Sequence, residues 1–186
     1  MSELEYRSAA LDVNTEESKK MLVTGYAAIF NTPTVLFTDE NGNEYTEVIK
    51  KGAFDNCDFK DTVFRYNHND SYSILARTSN NTLVIEVDNI GLKITAEIAN
   101  TTAGKDIFEL IRRKDISKMS FGFYVQDDEY IGYTRYIHKI KKVVDVSAVD
   151  DPAYNATSIT VLKRNICNAK KELDNYKQKV KILTLL

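Results

Sequence analysis

Ser120, His68 and Asp145 are the side chains of this sequence whose types could together do nucleophilic chemistry. A serine hydroxyl attacks a carbonyl only when a base takes its proton, imidazole is the usual base, and a carboxylate holds that imidazole in the useful tautomer. Ser120 lies in the stretch 118–125, where Met119, Phe121, Phe123 and Val125 alternate as one apolar face. Ser120, Gly122 and Tyr124 point the other way, so the serine sits on a strand whose opposite face is anchored in a core. Gly122 removes a side chain two residues on and lets another backbone come close. His68 ends an apolar strand in Arg65-Tyr66-Asn67-His68-Asn69-Asp70, and the second histidine, His138, lies in a polar strand. Asp145 stands among valines at 143–149, where a charge is costly unless paired or hydrogen-bonded. Each also has a bland reading: a common serine, a hydrogen-bonded histidine, an aspartate on the exposed side of a half-buried strand. Spacing alone does not show that the three meet. A metal hydrolase using His68 with Asp70 lacks any ligand motif, and no cofactor and no metal are expected.

The elements that must position these groups are mostly strands. Residues 21–30 and 62–68 read as strands, and Asn41-Gly42 marks a turn between two short ones. Leu83, Ile85 and Val87, then Leu92, Ile94, Ala96 and Ile98, alternate on either side of Asn89-Ile90-Gly91, predicting an antiparallel hairpin. At 102–114 the period changes: Ile107, Leu110 and Ile111 share a helical face, a threonine caps the start, and Arg112-Arg113-Lys114 suits the C-terminal dipole. A hairpin through Tyr130-Ile131-Gly132-Tyr133 and strands at 143–149 and 158–162 follow. Strands at this spacing with one interior helix predict a β-rich α+β fold, a closed or nearly closed antiparallel β-barrel with flanking helices. The expected division is a weakly ordered N-terminal segment at 1–20, a barrel domain at 21–162 and a C-terminal helix at 163–186. In that helix Ile166, Ala169, Leu173, Tyr176, Val180 and Leu183 form a short heptad seam that would pack on the domain, pair with its own copy or bind another helix.

The 186 residues are 43% hydrophobic and 28% charged with a formal net charge of -2, which suits one globular domain and gives no electrostatic reason to expect nucleic acid or an anionic membrane as partner. No apolar run reaches the length of a membrane span, and the polar, acidic first twenty residues do not read as a signal peptide. Cys57 and Cys167 are too few for a disulfide framework, so a reducing cytoplasm is expected.

The chain resembles the prohead (capsid maturation) proteases of tailed bacteriophages, which share a barrel fold with the herpesvirus assembly proteases. The resemblance rests on features in order: Gly25-Tyr26-Ala27-Ala28-Ile29-Phe30, Lys51-Gly52-Ala53-Phe54, the strand ending at His68, and Gly91-Leu92. Met119-Ser120-Phe121-Gly122-Phe123, Val144-Asp145-Val146-Ser147 and Asp151-Pro152-Ala153-Tyr154 complete it. It covers about residues 21–162. It implies Ser120 as nucleophile, His68 as base and Asp145 as third member, a position commonly glutamate in the phage proteins. Herpesvirus relatives use a second histidine there, which makes His138 the reserve and Asp150 the next. Ser147 could be mistaken for the nucleophile, but the Phe-Gly-Phe context favours Ser120. The family pattern also implies an oxyanion hole after the third triad strand, from the backbone N–H of Ala153 or Tyr154, worth about 3 kcal/mol in the transition state.

The implied role is a serine endopeptidase that cleaves phage scaffold and major capsid protein, and itself, inside the immature capsid in the host bacterial cytoplasm. Whether it works as a homodimer is open. The competing reading is a non-catalytic capsid-assembly binding module on a protease fold.

Overall fold

The structure, a computed structural model, describes residues 4–10, 20–71 and 73–150. Ten strands and one α-helix follow in chain order among them. They are β1 (Leu4–Ala10), β2 (Leu22–Ile29), β3 (Thr34–Thr38), β4 (Glu44–Ile49), β5 (Val63–Tyr66), β6 (Ala76–Arg77), β7 (Leu83–Val87) and β8 (Gly91–Glu97). Helix α1 (Thr102–Arg112), β9 (Lys118–Ile131) and β10 (Thr134–Val149) complete the set.

The strands form two sheets. In the larger, the order β1-β9-β10-β4-β3 carries β5 on β10 and β6 on β5; the smaller is β2-β8-β7. Each turns apolar side chains inward by period two. Met119, Phe121 and Phe123 of β9 have no exposed surface, and they share one core with Val23, Leu92 and Ile94 of the small sheet. Phe121 and Phe123 stack at 4.6 Å. Each ring withdrawn from water stabilises the fold by about 1.5–3 kcal/mol. Helix α1 closes one side of this core with Ile107 and Ile111, and Thr101 caps it by accepting a hydrogen bond from Gly104 N at 3.0 Å.

The β-rich α+β class holds, but the closed antiparallel barrel does not. Among the described residues no ladder joins the two sheets or links β1 to β3, and α1 is the one α-helix. The cause lies in β10. One edge pairs antiparallel with β9, while the other takes two parallel partners in succession: β4 along Thr134–Ile137 and β5 along Asp145–Ala148. Four register shifts against β9 let so long a strand twist enough to serve both. The 1–20 stretch, expected to be weakly ordered, contains β1, which pairs antiparallel with β9 from Leu4↔Tyr124 to Ala10↔Lys118. The 158–162 strand and the heptad helix at 163–186 lie outside the described residues, as does Cys167.

A buried charge network ties β1 to the rest. Arg7 Nε donates to Glu47 Oε1 at 2.5 Å and Arg7 Nη2 to Glu47 Oε2 at 2.7 Å. Arg135 donates to both oxygens of Glu5, to Glu47 Oε2 at 3.1 Å and to Asp128 Oδ2 at 2.6 Å. Arg7, Glu47 and Arg135 are buried. Burial works to raise the Glu5 carboxyl pKa, but the hydrogen bonds and charges of Arg135 and Arg7 outweigh it and hold the group below its ordinary value.

Candidate active site

Ser120 of β9, Asp145 and Ser147 of β10, and His68 just beyond β5 converge on one face of the large sheet. His68 Nε2 lies 2.7 Å from Ser120 Oγ, and His68 Nδ1 lies 2.5 Å from Asp145 Oδ2. An ionised carboxylate only accepts, so Nδ1 carries the imidazole proton and Nε2 turns its lone pair to the serine hydroxyl.

Sheet register brings the strands' contributions together. Opposite Ser120 on β10 stands Ser147, and opposite Gly122 stands Asp145. Between Val143, which faces Phe123, and Asp145, which faces Gly122, β10 advances two residues while β9 advances one. Val144 is the extra residue of this bulge, and it swings Asp145 out of the apolar face and onto the serine face. Gly122 leaves the space the carboxylate needs. A Cβ there would overlap Asp145 Oδ1 and come within 2.7 Å of Tyr6 Cε1. The glycine thus admits a side chain and a ring rather than the backbone expected from sequence.

His68 was expected to continue the β5 strand, but β5 ends at Tyr66. Asn67 and His68 both take left-handed backbone, with φ of 51° and 52°. Such a conformation costs a non-glycine residue roughly 1–3 kcal/mol, asparagine being the most tolerant. Neighbouring hydrogen bonds hold it. Asn67 N donates to Ala148 O at 3.0 Å, and His68 N donates to Ser147 Oγ at 3.1 Å. Asp150 accepts from Asn67 Nδ2 at 2.9 Å and from the Tyr66 hydroxyl at 2.6 Å. Asp150, the second reserve for the third position, therefore braces the histidine turn and does not meet the ring. His138, the first reserve, pairs with Glu129 Oε1 at 2.9 Å toward the opposite end of β10. Ala153 and Tyr154, the expected oxyanion donors, lie outside the described residues.

Two participants were not foreseen in these roles. Ser147, weighed only as a false nucleophile, donates to Asp145 Oδ2 at 2.9 Å while accepting from His68 N. Its signal was present, since two polar residues at i and i+2 in an apolar strand share a face. Tyr6 lies with its ring centroid 4.2 Å from that of His68, tilted by 55°. Nothing in the sequence marked it.

The metal-hydrolase reading loses ground at the same histidine. Both ring nitrogens of His68 are engaged by Ser120 and Asp145, while Asp70 pairs outward with Arg65 at 3.2 Å. Cys57 is half-buried, and burial pushes its thiol up to about 12, so it is not a thiolate nucleophile near neutral pH. No helix among the described residues is long and apolar enough to cross a membrane.

No curated protein and no solved structure matches the chain. The family model for the Caudovirus prohead serine protease matches residues 9–172, which include every residue of the hydrogen-bonded chain from Ser120 to Ser147. The chain belongs to the Caudovirus prohead serine protease family.

Proposed function

We propose that the chain is a serine endopeptidase acting in phage capsid maturation, with Ser120 as nucleophile, His68 as general base and acid, and Asp145 as the carboxylate that orients the imidazole. The observation that carries this reading is the unbroken succession of hydroxyl, imidazole and carboxylate at 2.7 Å and 2.5 Å. As Ser120 Oγ attacks the scissile carbonyl carbon, its proton passes to His68 Nε2, and the carbonyl π electrons move onto oxygen. Collapse of the tetrahedral intermediate breaks the C–N bond, and Nε2–H protonates the departing amine. Water then repeats the cycle on the acyl-enzyme and restores the serine. Asp145 stabilises the imidazolium formed at each stage, and Ser147 keeps Oδ2 aimed at Nδ1.

Family membership supports scaffold and major capsid protein as substrates, in the interior of the immature capsid. We extend the reading to self-cleavage. Ala153 and Tyr154 remain the proposed oxyanion donors.

Intact-mass measurement of wild type and Ser120→Ala, each alone and with the cognate capsid protein, tests the reading. The expected result is cleavage by wild type and a fall on the order of 10^6 in rate for the variant, with circular dichroism unchanged. Normal processing by Ser120→Ala would overturn Ser120 as the nucleophile, and no cleavage by wild type would leave the binding-module reading in its place.

A further inference from the structure

We propose that Tyr6, on the N-terminal strand, is a positioning residue for the His68 imidazole, so that β1 is part of the active site and not merely an edge of the sheet. The inference rests on the serine-protease reading above for its catalytic meaning, and on three observations for its geometry.

First, the imidazole has edge partners but needs a wall. Ser120 and Asp145 engage the ring at its two nitrogens, along its edge, and leave its faces to other neighbours. The Tyr6 ring lies 4.2 Å away at 55°, a tilted aromatic contact that backs the imidazole and limits its displacement away from Ser120 and Asp145. Second, Tyr6 stands directly opposite Gly122, and the absent side chain there lets the tyrosine ring approach. Any larger residue at 122 would push away the carboxylate and the ring together. Third, β1 alternates. Arg7, opposite Phe121, turns to the core and is locked by Glu47, so Tyr6 cannot follow a fraying strand. Burial and then the nearby Asp145 carboxylate push the Tyr6 phenol above its ordinary value, so the wall is uncharged at neutral pH.

The groups facing His68 are Ser120 from β9, Asp145 and Ser147 from β10, and Tyr6 from β1.

The test uses the full chain with a fluorophosphonate probe, which reports the reactivity of the serine without a known substrate. A background of His138→Gln leaves His68 as the single histidine and makes its ring signals unambiguous. Tyr6→Ala is expected to slow probe labelling by about 10- to 100-fold and to broaden the low-field Nδ1–H proton resonance of His68. Tyr6→Phe, which restores the ring, recovers both. Tyr6→Leu restores bulk without an aromatic face and falls between them. Labelling by Tyr6→Ala within about twofold of wild type, with the Nδ1–H resonance unchanged, would overturn the proposal. So would loss of a dispersed spectrum in both Tyr6→Ala and Tyr6→Leu, since Tyr6 would then be a fold residue only. Absence of labelling in wild type would count against the protease reading instead, and the Nδ1–H comparison would still decide the role of Tyr6.

Discussion

Toward one end of β10, Asp145 and Ser147 reach His68; toward the other, Arg135 reaches Glu5, Glu47 and Asp128. Both groups are polar and buried, and they are assembled on different terms. In the arginine network two guanidiniums face three carboxylates, and no member is poised to give up a proton. In the histidine group a single carboxylate meets a ring with one mobile proton, held on a backbone turn that neither Asn67 nor His68 would choose alone. Saturated pairing makes a clamp. A short chain of donors with one strained member makes a relay.

Three perturbations separate clamp from relay, the first being the most severe. Glu47→Ala removes the buried carboxylate that Arg7 and Arg135 share and leaves their buried guanidiniums with only the more exposed Glu5 and Asp128, at a cost of about 3–5 kcal/mol. Differential scanning calorimetry should show Tm falling by roughly 10 °C. A Tm within experimental error of wild type would mean that Glu5 and Asp128 suffice. Ser147→Ala acts on the relay. It strands the His68 N–H and frees Asp145 to swing, costing about 1–3 kcal/mol in stability and roughly tenfold in kcat. Equal kcat in the variant would show that Asp145 needs no second donor.

The mildest perturbation is acid. The Glu5 carboxyl is held below its ordinary value of 4.5, so the stability it contributes is complete above that pH and is lost as the pH falls through the depressed value. Amide hydrogen exchange should therefore show β1 losing protection below about pH 4.5 before the β9–β10 ladder does. Simultaneous loss across all three strands would remove the distinction.

Much of this was legible from residue order, and the failures have identifiable causes. The face of β9 that buries Phe121 and exposes Ser120 to its partners is plain period two, as is the 83–97 hairpin. Helix α1 follows from its apolar spacing and its threonine cap. Strand β1 was hidden because Glu5 and Arg7 occupy core-facing positions, an inversion that makes sense only once their partners arrive from 40 and 130 residues away. The barrel expectation failed because a strand with two parallel partners on one edge leaves no local pattern. His68 was located at the right strand end, but its left-handed backbone depends on Ser147 and Asp150, which local propensity does not see.

The bulge at Val144 has a consequence for how this sequence can vary. Alternation in a strand amounts to counting, and here the count is off by one on purpose: an odd residue ahead of Asp145 converts what would be an inward-facing acid into a partner for histidine. Shorten that stretch by a single valine and Asp145 and Ser147 would trade places with Val146 and Ala148, although the composition would hardly change. Arithmetic, as much as chemistry, holds the carboxylate in place.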